Sequence, residues 1–314
     1  MSVSQNNIPN NCAVDFTTKP KISIQRQATI VSSLTACILI SVKFIIGILS
    51  GSVAILASAI DSLLDLSASL FNLYALTKAE KPANFEFNYG MGKIESLAAV
   101  IEGSVILVSG IFILYQSFKK LFFGGELVYL DYSLYVMLFS LILTTMLVIY
   151  LNYIAKKSNN LVIKADALHY KTDILSNGAV LIAIVLVHWT HLHIIDAIFG
   201  IGIGIYVAYS AFGILKEGVL ILLDKALEEQ KIESIKQIIA SAPQVQSYHD
   251  LKTRQSGETN FVEVHLVFDP NISLLDAHKV ADSIECAIQN LEGKWEIITH
   301  LDPYDDEGAV CNIY

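Results

Sequence analysis

Charge is scarce in this chain. Asp, Glu, Lys and Arg make up 16% of its 314 residues while 54% are hydrophobic, and a mean hydropathy of +0.53 excludes an ordinary soluble globular protein. Basic residues are fewest where the chain is most polar. From Lys225 to the end there are 7 Lys/Arg against 16 Asp/Glu, a balance of 7 − 16 = −9 that equals the −9 of the whole chain. The apolar part is therefore neutral, and the lack of clustered Lys/Arg argues against a nucleic-acid partner. Cysteine is limited to Cys12, Cys37, Cys286 and Cys311, with no CxxC pair and no disulfide-framework spacing, so all are read as reduced thiols. No GxxxxGK[ST] loop is present to drive transport with a nucleotide, and no HExxH motif to support an intramembrane metalloenzyme. The N-terminus is polar through Gln27, and the apolar run after it, about 20 residues, is too long for a signal-peptide core; no cleaved leader is expected.

What is abundant is long apolar sequence. Six runs, at 30–50, 53–77, 95–118, 131–154, 163–187 and 195–223, have the length of membrane spans. The expected fold is an α-helical membrane protein with six transmembrane helices and both termini on one side. The expected domains are an N-terminal segment at 1–27, a membrane domain at 28–224 and a polar domain at 225–314. Lys19, Lys21 and Arg26 precede the first span, Lys78, Lys81 and Lys93 lie between the second and third, and Lys156 and Lys157 follow the fourth. By the positive-inside rule these segments, and hence both termini, are cytoplasmic. The opposite loops, Ser50 to Ser52 and Trp189 to His193, lack Lys and Arg, although Lys119 and Lys120 run against the rule.

Two spans carry charges at helical spacing. Asp61 and Asp65 are four residues apart, as are His169 and Asp173, so each pair lies on one helix face. A carboxylate at mid-bilayer costs roughly 2.5–3.5 kcal/mol, so something must offset three of them. Snorkelling helix ends or interhelical hydrogen bonds are the plain alternatives for any single Asp. Two pairs at the same spacing supply three carboxylates and an imidazole, a set suited to a tetrahedral divalent ion such as Zn²⁺. Four such ligands bind too tightly for a passive channel. Asn72 and Asn177 either extend this polar stripe or pair helices. Asp166 reads as an entrance residue or a solvated one. Glu95 and Glu102 begin the third span, with Glu95 at the interface. Lys43, inside the first span, either neutralises a carboxylate or snorkels, and His188, His191 and His193 read as an outer loop.

After Asp224 the pattern changes to that of a small α/β domain. Helical spacing over 226–241, strand-like runs at 245–254 and 259–268, a helix over 273–291 and a strand at 295–301 give the order α-β-β-α-β. This is a three-stranded, ferredoxin-like (metallochaperone-like) arrangement with two helices on one face. In the second strand Val262, Val264, Leu266 and Phe268 share the core face, leaving His265 on the other. Four of the chain's eight histidines, His249, His265, His278 and His300, fall here, with Asp302 after the last. Spacing alone leaves open whether they cluster.

Three stretches carry a resemblance: Ser50 to Asp65, Tyr89-Gly90-Met91-Gly92-Lys93-Ile94-Glu95, and Ala165-Asp166-Ala167-Leu168-His169-Tyr170-Lys171-Thr172-Asp173. Together they resemble the cation diffusion facilitator family, most closely its bacterial zinc and iron efflux branch, over about residues 25–305. The resemblance implies a homodimeric metal/proton antiporter in the bacterial inner membrane, moving Zn²⁺ first and also Fe²⁺ or Cd²⁺. It implies transport ligands at Asp61, Asp65, His169 and Asp173, and no organic cofactor. It also implies a regulatory binuclear zinc site at His249, His265, His278, His300 and Asp302, and a charge pair, Lys93 with Asp224, near the membrane surface that links the subunits. The chain departs from that branch between the second and third spans. There Asn84, Phe87 and Met91 stand where an Asp and two His usually hold a second zinc, so that loop site is expected to be absent. The rival reading is a membrane metal sensor whose tail reads metal without coupled transport.

Overall fold

The computed structural model describes residues 23–50, 53–123, 131–190 and 194–304. His191, His193, Cys12 and Cys311 lie outside them, as does the side chain of His188. Six long helices come first: α1 (Ile24–Ser50), α2 (Val53–Ala79), α3 (Lys93–Phe123), α4 (Asp131–Ser158), α5 (Leu161–Thr190) and α6 (Ile194–Leu222). Helices of 27 to 31 residues are about 40–46 Å long at 1.5 Å per residue, more than a bilayer core requires. Several extend beyond the apolar runs, because polar residues continue a helix past the hydrocarbon boundary. Thus α1 starts at Ile24 and α4 continues to Ser158. Among the described residues, α1, α3, α4 and α6 are long and apolar enough to cross a membrane on composition alone. The other two, α2 and α5, carry the acidic and histidine pairs.

These helices form one compact unit, Ile22–Leu222. Its core joins Ala28, Leu76, Ala98, Leu151, Val162 and Tyr170 from five helices. Large apolar side chains such as Leu49, Val108, Ile149 and Tyr209 point outward, as expected where lipid replaces water. Helices α3 and α6 approach through small residues. A Cβ at Gly204 would stand 2.7 Å from Leu114 Cγ and 3.1 Å from the Gly110 carbonyl, and one at Gly110 would stand 3.0 Å from Ala208 N. The connection between α4 and α5 is only Asn159-Asn160. Asn159 takes the left-handed conformation (φ 50°) that ends a helix. Asn160 caps α5 by accepting from the Ile163 N–H at 3.2 Å, and its side chain also donates to Glu95 at the start of α3.

From Leu223 onward a second unit follows, with α7 (Glu229–Ser241), β1 (Ser247–Ser256), β2 (Thr259–Phe268), α8 (Leu274–Gln289) and β3 (Lys294–Pro303). The α-β-β-α-β order is the one the hydrophobic pattern gives, with ends shifted by up to three residues. The sheet order is β1-β2-β3, with β1 and β2 antiparallel and β2 and β3 parallel across the α8 crossover. A two-residue turn with Gly257 at φ 59° joins the hairpin. Ile235 and Ile239 of α7 and Ala277, Ala281, Ile284 and Ile288 of α8 pack with Val262, Val264, Leu266 and Phe268, so both helices cover one face. Ser273 caps α8 by accepting from the Asp276 N–H at 3.1 Å. The Ser273 hydroxyl and Lys279 ammonium hold the Asp276 carboxyl below its usual range. One expectation is corrected: Cys286 on α8 is disulfide-bonded, while Cys37 is free. Spacing along the chain could not report that pairing.

Candidate functional site

In the helical unit, α2 and α5 bring their polar faces together. One ligand atom each from Asp65, His169 and Asp173 falls within 4.8 Å of the others, and His169 Nε2 stands 3.0 Å from Asp65 Oδ1. These separations approach those between ligands of one small cation, in which the ion takes the place of the shared proton. Asp61, one turn before Asp65, falls outside that close group but lines the same cleft of about 240 Å³, with Asp65, Asp173 and Lys43. The Lys43 ammonium donates to Ser62 Oγ (2.8 Å) and to the Ser58 carbonyl (3.4 Å). Its head group is therefore held inside the cleft, and the snorkelling alternative is set aside. Asn177 also lines the cleft, but its amide donates to its own helix at the Asp173 carbonyl (2.8 Å).

Sequence reasoning missed the other wall of this site. Tyr170 lines the cleft, its ring 5.5 Å from that of His169, and its hydroxyl meets Ser69 Oγ at 2.9 Å. Ser32 completes the group, 2.8 Å from Ser69 Oγ and 3.4 Å from the Tyr170 hydroxyl. All three are buried. The one available signal was that Ser32, Ser69 and Tyr170 are polar residues within apolar spans. Asp166 is fully buried, so of its two readings the solvated one is set aside.

In the second unit the sheet register aligns three histidines. His249 pairs with His265 and His265 with His300, placing one imidazole on each strand in a single row across the sheet. Ring centroids are 4.8 Å apart for the first pair and 4.7 Å for the second. Asp302, two residues past His300, presents both carboxylate oxygens to the row. Its Oδ2 lies 3.1 Å from His249 Nε2 and 2.8 Å from His265 Nδ1, and its Oδ1 lies 3.0 Å from His300 Nε2. A register shift between His249 and Lys252, with Asp250 at φ 51°, bends β1 beside the row as a bulge does. Of the group, His249, His265 and Asp302 lie close enough to share one ion. His278 instead faces Asp282, one turn along α8, at 3.4 Å.

The remaining expected residues sit as follows. Lys93 donates to the Leu222 carbonyl at 3.3 Å, tying the start of α3 to the end of α6. Asp224 lies 3.7 Å from Arg254 within the second unit. In the loop before α3, the Asn84 side-chain oxygen accepts from the backbone N–H groups of Glu86 (3.0 Å) and Phe87 (2.8 Å). It builds the turn and has little capacity left for a metal.

The cation efflux transmembrane domain matches residues 29–223, and the cation efflux protein cytoplasmic domain matches residues 227–304. The cation-efflux pump FieF of Citrobacter koseri is 38% identical over 277 residues, covering 88% of this chain and 92% of the relative. FieF of Yersinia enterocolitica is 39% identical over 276 residues, covering 87% and 92%. A solved chain of CzrB in its Zn form is 27% identical and covers 27% of this chain and 99% of that one, at a TM-score of 0.24, too low to establish a common arrangement. Two family domains that together account for nearly the whole described chain, and relatives aligned along almost their full length, place this chain in the cation efflux (cation diffusion facilitator) family of multi-pass membrane transporters.

Proposed function

We propose that this cation efflux protein exports Zn²⁺ first, and Fe²⁺ or Cd²⁺ with it, in exchange for protons, through a site formed by Asp61, Asp65, His169 and Asp173. The observation that carries the reading is the convergence of Asp65, His169 and Asp173 within 4.8 Å between two long helices. One imidazole among carboxylates suits Zn²⁺ with broad tolerance. Metal binds only when His169 is neutral and the carboxylates are ionised, so loading releases protons and affinity rises with pH. Exposing such a site alternately to the two sides makes metal and proton compete for the same ligands, which is exchange. An inward proton gradient then drives metal outward.

The proposal extends to the second unit. His249, His265, His278 and His300 with Asp302 hold a regulatory pair of zinc ions, and Asp302 offers one oxygen to each side of the histidine row. Bound zinc offsets part of the tail's negative charge, so two tails approach with less repulsion. The working unit is a homodimer in the bacterial inner membrane with both termini cytoplasmic, and Lys93 and Asp224 form its charge pair near the membrane surface. The His row also suits a metal sensor without transport, and a flux assay separates the two readings. Purified protein in vesicles should move Zn²⁺ against its gradient when a pH gradient is imposed, and Asp173→Ala should not. Metal-responsive changes in the tail without any flux would favour the sensor.

A further inference from the structure

A cleft reaches the transport ligands from one end of the bundle. On α5 it is lined by Tyr170, Asp173 and residues beyond, and on α2 by Asp65 and residues before it. Toward the other end, where α2 finishes and α5 begins, stand the hydrogen-bonded hydroxyls of Ser32, Ser69 and Tyr170. Behind them lies a buried set of oxygens from three helices. Asp166 is 0% exposed, Asn72 0% and Glu102 6%. The Asn72 amide donates to Glu102 Oε2 at 3.0 Å, and Asp166 lies beside Asn72 and Ser32 and within Coulombic reach of Glu102. Yet Glu102 Oε1 and Asn72 Oδ1 have no hydrogen-bond partner. Two buried acceptor oxygens without a donor, beside a second buried carboxylate, are costly, and a contact meant only to pack these helices would be apolar.

We propose that Asp166, Glu102 and Asn72 form a second intramembrane cation site, one turn from the transport ligands, which takes a divalent ion through oxygen atoms alone on the far side of those hydroxyls. It rests on the transport reading for its role, but its ligand chemistry stands apart. Two carboxylates and an amide oxygen are hard donors without nitrogen or sulfur, so this site favours Mn²⁺ relative to Zn²⁺ more than the His169 site does. An ion here waits between the protein surface and the transport ligands, and the Ser32, Ser69 and Tyr170 hydroxyls separate the two positions.

The test uses the full chain carrying Asp65→Ala, Asp173→Ala, His249→Ala and His265→Ala, which removes both clusters described above. Mn²⁺ binding is then counted by equilibrium dialysis and its coordination read by electron paramagnetic resonance. One Mn²⁺ per chain, without nitrogen coupling, is expected. Adding Asp166→Asn with Glu102→Gln should abolish it, whereas Glu102→Asp, which keeps the carboxylate, should retain it. Gel filtration of each variant shows whether it is folded, and a misfolded double variant is replaced by Asp166→Asn alone, for which the same loss is expected. No Mn²⁺ in the starting variant, nitrogen coupling, or an unchanged count after the Asp166 substitution would overturn the proposal. Loss of zinc flux in Asp65→Ala is a separate outcome that bears only on the transport reading.

Discussion

At the scale of single residues, each carboxylate of the proposed site contributes both a donor atom and a charge. Replacing Asp65 or Asp173 by Ala removes one donor from the close group, and zinc flux should fall roughly 100-fold or more while the protein still elutes as the folded assembly. Normal flux in either variant would remove these residues from the site. His169 is the only nitrogen donor in the set. His169→Asp should therefore shift a Zn²⁺/Mn²⁺ competition toward Mn²⁺, the harder ion, and an unchanged ratio would count against His169 as a ligand. Lys43 shares the cleft with Asp61, Asp65 and Asp173 and opposes any bound cation electrostatically. With Lys43→Met, zinc should bind more tightly and turn over more slowly, seen as a fall in both KM and kcat. Asn84 points the other way, since its side-chain oxygen already accepts two backbone N–H groups. Replacing Phe87 and Met91 by Ala should leave the number of bound zinc ions unchanged.

At the scale of elements, the sheet converts distant positions into a site. His249, His265 and His300 come from three strands, and register alone puts them in one row. His265→Ala with His300→Ala should release the tail zinc, read by metal analysis, and weaken tail dimerisation, yet leave part of the flux because the intramembrane ligands are intact. Helices α3 and α6 depend on close approach, so Gly204→Leu, driven against Leu114 and the Gly110 carbonyl, should destabilise the helical unit by about 1–3 kcal/mol, seen as a lower unfolding temperature in detergent. The six helices and the α-β-β-α-β order were legible in the sequence because long apolar runs and two-residue alternation are local patterns. The face of α2 bearing Asp61 and Asp65, and that of α5 bearing His169 and Asp173, were legible for the same reason. What was not legible depends on which helices touch. Nothing local relates Asn72 to Glu102, or Ser32 to Tyr170. The facing of His278 toward Asp282 also escaped, although its four-residue spacing could have suggested it.

For the whole molecule, the account ties a neutral helical unit to a tail that carries the −9 of the chain. Under the proposal, metal in the tail lowers the repulsion between two such tails, so tail association should strengthen with zinc and weaken with chelator. The central claim is that metal and protons exchange at the ligands of α2 and α5. Its most direct test is zinc uptake into vesicles containing the purified protein and a pH-sensitive dye, with the pH gradient imposed in either direction. The account predicts that zinc entry releases protons from the vesicle, that reversing the gradient reverses net zinc movement, and that Asp65→Ala abolishes both signals together. Zinc movement indifferent to the pH gradient and without a proton signal, or both signals persisting in Asp65→Ala, would contradict it.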